Sequence, residues 1–63
     1  MKARLKSEIA AAAGVSLTTL GRWLNGKRSI LETMGYYNTQ KLLPPNIVKY
    51  ICDEYGINEM DFG

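Results

Sequence analysis

The chain has 63 residues, 46% of them hydrophobic and 22% charged, with a formal net charge of +2, no histidine and a single cysteine, Cys52. That length allows one small domain near the lower limit of independent folding, and the apolar content is too high for a disordered tail. Without histidine there is no Ser-His-Asp or Cys-His pairing, and one cysteine builds neither an internal disulfide nor a zinc site. Enzyme, metal centre and cofactor protein are therefore the classes the composition argues against. The longest strictly apolar run near the start, residues 9–13, is too short for a signal-peptide core or a membrane span, so the default expectation is a soluble cytoplasmic protein with a reduced thiol.

The first element expected is a helix opening near Arg4. Leu5, Glu8, Ile9, Ala12 and Ala13 recur at spacings of three and four, and the alanines at 10–13 favour helix while leaving a smooth side for a neighbour. Ser7 is an alternative N-cap if the first residues fray, and Gly14 ends the helix. A second helix follows at once, capped by Ser16, with Leu17, Leu20, Trp23 and Leu24 as its apolar positions and Gly26 as its stop. Gly21 inside it costs about 1 kcal/mol relative to alanine. Either another backbone packs closely there, or the position faces a ligand surface that a side chain would obstruct.

Two helices joined by a short glycine-containing turn make a helix-turn-helix. Residues 6–25, KSEIAAAAGVSLTTLGRWLN, resemble the bacterial form of that motif. Ala10 matches its small residue, Gly14 its turn glycine, and Ile9, Ala13, Val15, Leu20 and Trp23 its internal apolar positions.

Beyond Gly26, Lys27 and Arg28 precede Ser29 and Glu32, which have capping-box spacing, and Ile30, Leu31 and Met34 can pin a short helix against the core. The segment 35–43 is too aromatic for a linker and is expected to be wing-like, a tight two-stranded ribbon turning at Asn38-Thr39. The final helix, 45–55, starts at Pro44-Pro45, buries Ile47, Val48, Ile51, Cys52 and Tyr55 as one stripe, and stops at Gly56 with Ile57 folding back. Residues 58–63 are expected to fray. The resulting fold class is mainly all-α, a single domain over 1–63: a helix-turn-helix, a short helix, a small wing-like or extended segment, and a C-terminal helix.

This second half resembles the MerR and phage excisionase group of winged-helix domains. There a helix-turn-helix is followed by a short wing and then by a Val/Ile-rich helix with a Pro or acidic start. The run Gly35-Tyr36 through Lys41-Leu42-Leu43-Pro44 and on to Val48 and Ile51 is a variant of that plan, without the usual arginine beside the tyrosine. Over nearly its full length, and above all in GYYNTQKLLPPNIVKYICDEYG, the chain is also similar to a family of small uncharacterised helix-turn-helix proteins from gut Bacteroidetes. These resemblances imply double-stranded DNA as the partner, as for a small transcriptional regulator or recombination accessory factor. They specify neither an operator nor a regulated gene. A homodimer, a monomer on one half-site, and a cooperative array like that of excisionases all remain open.

The charge distribution agrees with a polyanion partner. All eight basic residues lie in residues 1–49 with only Glu8 and Glu32, a balance of +6, whereas residues 50–63 carry Asp53, Glu54, Glu59 and Asp61, a balance of −4. If the second helix enters a major groove, Ser16, Leu17, Thr18, Gly21, Arg22 and Asn25 face base edges, Arg22 as a bidentate donor to guanine. Asn25 can instead cap locally near Gly26. Lys6, Lys27, Arg28 and Lys41 are the candidate phosphate contacts, and Tyr36 and Tyr37 candidate wing contacts, one of which packs beneath the wing. Trp23 and Cys52 read as core residues rather than as a stacking platform and a reactive thiol. Two other function classes compete: a protein-interaction module using the helical hairpin, and a purely structural domain. An apolar patch at Leu17 would favour a protein partner, and a basic surface around Arg22 would favour DNA.

Overall fold

The computed structural model describes residues 1–62. In chain order these form β1 (Arg4–Leu5), α1 (Lys6–Ala13), α2 (Leu17–Gly26), α3 (Arg28–Thr33), β2 (Leu42–Leu43), α4 (Pro45–Tyr55) and a closing 3-10 turn, Glu59–Asp61. The fold is mainly α, a helix-turn-helix followed by a short helix, an extended segment and a C-terminal helix. The Cα radius of gyration is 10.4 Å, against about 10.5 Å for a compact chain of this length. No helix among the described residues is long and apolar enough to cross a membrane.

Three helices end on the same device. Gly14, Gly35 and Gly56 take left-handed φ of 72°, 90° and 67°. In each case the next residue folds back to donate its N–H to a carbonyl in the last turn, Val15 to Ala10, Tyr36 to Leu31 and Ile57 to Cys52, at 2.9–3.0 Å. This is the Schellman arrangement, and the apolar residue after each glycine is drawn onto the core it follows. Tyr36 and Ile57 are buried and Val15 half-buried. Gly26 behaves differently. It is the last helical residue of α2, without positive φ, and the chain turns at Lys27 directly into α3.

One core joins the four helices and β2. Ile9 and Ala10 from α1, Leu20 and Leu24 from α2, Leu31 from α3, Leu43 from β2, and Ile47, Val48, Ile51 and Cys52 from α4 are at most 4% exposed. No charged side chain among the described residues is buried. Ala10, at 4% exposure, is the small residue on the inner side of α1, while Ala11 is exposed. Trp23 packs at the core's edge, half-buried, with its ring stacked on Tyr55 at 4.2 Å between centroids and 10° between planes. The Tyr55 hydroxyl lies 3.4 Å from the Trp23 carbonyl and donates to it. Cys52 is a free, buried thiol whose pKa burial pushes up, so it behaves as a small hydrophobe.

Several local expectations are corrected. The first helix starts at Lys6, not near Arg4. Arg4 and Leu5 form a strand, and Ser7 is not its cap. Leu5 at the helix boundary has no side-chain acceptor, and Glu8 supplies the local bond instead by accepting the Leu5 N–H at 2.9 Å. Leu5 itself is 44% exposed, so it does not belong to the core stripe. The third helix starts at Arg28, so Ser29 lies within it and makes no capping box with Glu32. Ile30 is 48% exposed, and of its apolar residues only Leu31 is buried.

The segment 35–43 is not a two-stranded ribbon. Residues 37–40 form a turn in which the Gln40 N–H donates to the Tyr37 carbonyl and the Gln40 side chain accepts the Tyr37 N–H, both at 3.0 Å. Asn38-Thr39 lacks the glycine that a tight hairpin turn favours. The Tyr36 N–H is already committed to the end of α3, so the segment cannot pair with itself. Instead β2 pairs antiparallel with β1, Leu43 opposite Arg4 and Leu42 opposite Leu5, extended by the Lys6 N–H donating to the Lys41 carbonyl at 2.9 Å.

Within the end expected to fray, Glu59–Asp61 form the closing 3-10 turn, and Gly63 lies outside the described residues. The Asn58 N–H donates to the Asp61 carboxylate at 2.9 Å, and the Arg4 guanidinium stands 4.3 Å from the Phe62 ring centroid.

Candidate nucleic-acid interface

The amphipathic sequence of α2 decides which of its residues can meet a partner. Leu20 and Leu24 are 1% and 2% exposed, which turns Thr18, Arg22 and Asn25 outward on the opposite side. Ser16 caps the helix, its Oγ accepting the Thr19 N–H at 3.1 Å and donating to Thr19 Oγ1 at 3.1 Å. This leaves the exposed helix start facing solvent. The side chains of Thr18, Arg22 and Asn25 make no hydrogen bond or ion pair to the described residues. Asn25 therefore does not act as a local cap. A Cβ built at Gly21 would meet nothing within 4 Å, which removes close backbone packing as the reason for a glycine there.

The candidate phosphate contacts divide into two kinds. Lys41 is exposed and without a partner among the described residues, like Arg22. Lys27 instead forms an ion pair with Glu54 of α4 at 2.8 Å, and that hydrogen bond raises the ammonium's pKa. Arg28 pairs with Glu32 one turn on at 3.0 Å. Lys6 reaches across to the Asn38 carbonyl at 2.9 Å and stands 5.1 Å from the centre of the Tyr36 ring. Tyr36 is 4% exposed and lies under the segment, so it is no surface contact. Tyr37 is 70% exposed.

The folded chain also brings together residues that are distant in sequence. Leu5 from β1, Lys6 and Ser7 from the start of α1, Leu17 from the start of α2, and Lys41 before β2 line one groove of about 360 Å³. Its walls are mostly apolar, its two charged residues are both lysines, and Leu17 is 55% exposed within it. Leu5 and Ser7 were not identified as site residues because their spacing suits a core stripe and a cap. Only the β1–β2 pairing shows that residue 5 is turned out beside Lys41. Comparison with protein families, curated proteins and solved structures finds no match to this chain.

Proposed function

We propose that this chain binds double-stranded DNA by laying α2 in the major groove, as a small bacterial transcriptional regulator or recombination accessory factor acting in the cytoplasm. The observation that carries this reading is the outward side of α2, where Thr18, Arg22 and Asn25 stand exposed with no bond to the chain's own side chains. Their donors and acceptors suit base edges: a guanidinium spans guanine O6 and N7, and a threonine hydroxyl donates or accepts. Lys41 lies across the groove from the start of α2, where a phosphate backbone flanking an inserted helix would run. The resemblance to winged-helix regulators supports the same orientation, with the 35–43 segment beside the duplex and Tyr37 exposed on it.

The test is selection from a random duplex library at stated salt, followed by titration of Arg22→Ala. The substitution is expected to cost about 1–3 kcal/mol on the selected duplex and to relax preference at one base position. An equal fractional loss on selected and scrambled duplexes would reduce Arg22 to a phosphate contact. No binding to any duplex at low salt would overturn the reading. One observation favours a second reading, that of a protein-interaction module: the exposed apolar pair Leu5 and Leu17. Absence of duplex binding would leave that reading standing.

A further inference from the structure

Resting on the DNA-binding reading above, we propose that Leu17 reads the 5-methyl group of a thymine, so that the preferred duplex carries a thymine at one defined position. Three observations point to that contact. Leu17 is the first residue of α2 and is 55% exposed, while Leu20 and Leu24 of the same helix are almost fully buried. The core makes no use of it, yet a large apolar side chain stands at the helix end that reaches deepest into a groove.

One turn on lies Gly21, where a side chain would meet nothing in the fold. Helical side chains lean toward the N-terminus, so any side chain at 21 would lean over the flank of Leu17. The glycine keeps that flank bare.

The groove holding Leu17 is apolar within and lined by Lys6 and Lys41 with no carboxylate. Its occupant therefore combines an apolar group with negative charge. A DNA duplex does so: thymine alone among the four bases presents a methyl group in the major groove, and phosphates run on either side. An acidic peptide would match the lysines and Leu17 but leave Thr18 and Arg22, on the adjoining surface, without a role.

The test uses a duplex recovered by selection from a random library. Each thymine in turn is replaced by deoxyuridine, which removes the methyl group and keeps every hydrogen-bonding atom. With the unaltered protein, one replacement should weaken binding about fourfold, the effect of burying a single methyl, and the others should change little. Leu17→Ala should bind thymine and uracil versions of that duplex equally while keeping the base preference that depends on Arg22. The proposal is overturned if no uracil replacement matters, if the selected site has no thymine, or if Leu17→Ala still discriminates the methyl group. The uracil series on the unaltered protein decides the matter even if Leu17→Ala folds poorly. Duplex binding that is indifferent to both changes would overturn the thymine contact while leaving the DNA reading in place. Absence of all duplex binding would overturn the DNA reading, and the thymine contact with it.

Discussion

At position 21 a side chain would have open space, and the backbone there is ordinary helix, yet α2 carries a glycine at a cost of about 1 kcal/mol relative to alanine. Gly21→Ala should therefore stabilise the protein by about 1 kcal/mol in urea denaturation, with no local strain to offset the gain. The same variant should bind duplex DNA less well, because the added methyl stands in open space one turn on from Leu17, on the side that would meet the duplex. A variant more stable and equally good at binding would mean that α2 does not approach a duplex along this side. At neighbouring positions the sequence alone left alternatives open. Nothing in the run Leu-Asn-Gly says whether the Asn25 amide turns back to cap the helix. The fold leaves it unbonded and pointing to solvent.

Between elements, the approach of α1 and α2 depends on Ala10, 4% exposed on the inner side of α1. Leucine at that position should overpack the core and cost about 1–3 kcal/mol, whereas Ala11→Leu, on the exposed side, should stay within about 0.5 kcal/mol. Matched denaturation curves check this, and equal tolerance would contradict the packing.

The start of α1 makes a pH-dependent prediction. The Leu5 N–H bonded to the Glu8 carboxylate at 2.9 Å holds that group's pKa below the usual glutamate value, helped by Arg4 at 3.4 Å. A depressed carboxylate contributes stability that is present above its unfolded pKa and lost as pH falls through its folded one. The difference in melting temperature between wild type and Glu8→Ala should thus be present at neutral pH and close as the pH drops below about 4. A difference that persists unchanged in acid would show that the ionised carboxylate is not what stabilises this end.

Across the whole molecule, the basic body and acidic end seen in sequence are partly joined in space. Glu54 of α4 holds Lys27 at 2.8 Å, Glu32 holds Arg28 and Asp53 holds Lys49. Among the described residues, the basic side chains left without a partner are Lys2 near the chain start, Arg22 on α2 and Lys41, with Lys6 held only by a carbonyl. Duplex affinity should fall steeply with salt, and Lys41→Ala should reduce the slope of log affinity against log salt by about 1. Lys27→Ala should lower the melting temperature slightly and leave the slope nearer to wild type. Titrations at several salt concentrations check both, and equal slope changes would mean that Lys27 leaves Glu54 for a phosphate.

Periodicity and punctuation were enough to place α2 and α4 and the stops of α1 and α4, because each depends on contacts within a few residues. Ser16 reaches a backbone N–H three residues on, Gly14 and Gly56 supply a positive φ that side chains resist, and Pro45 starts a helix where its missing N–H is harmless. The outward positions of α2 were legible for the same reason. The partner of β2 was not. Leu42-Leu43 carries no local mark of pairing with Arg4-Leu5, nearly forty residues away, and that pairing turns Leu5 out toward Lys41 and Leu17. Nor does charge counting show which lysines are already held, since Lys27 meets Glu54 only after α4 packs against the junction of α2 and α3. Tertiary structure alone decides such long-range pairings, and they separate the groove, with its unpaired Lys41, from a general excess of positive charge.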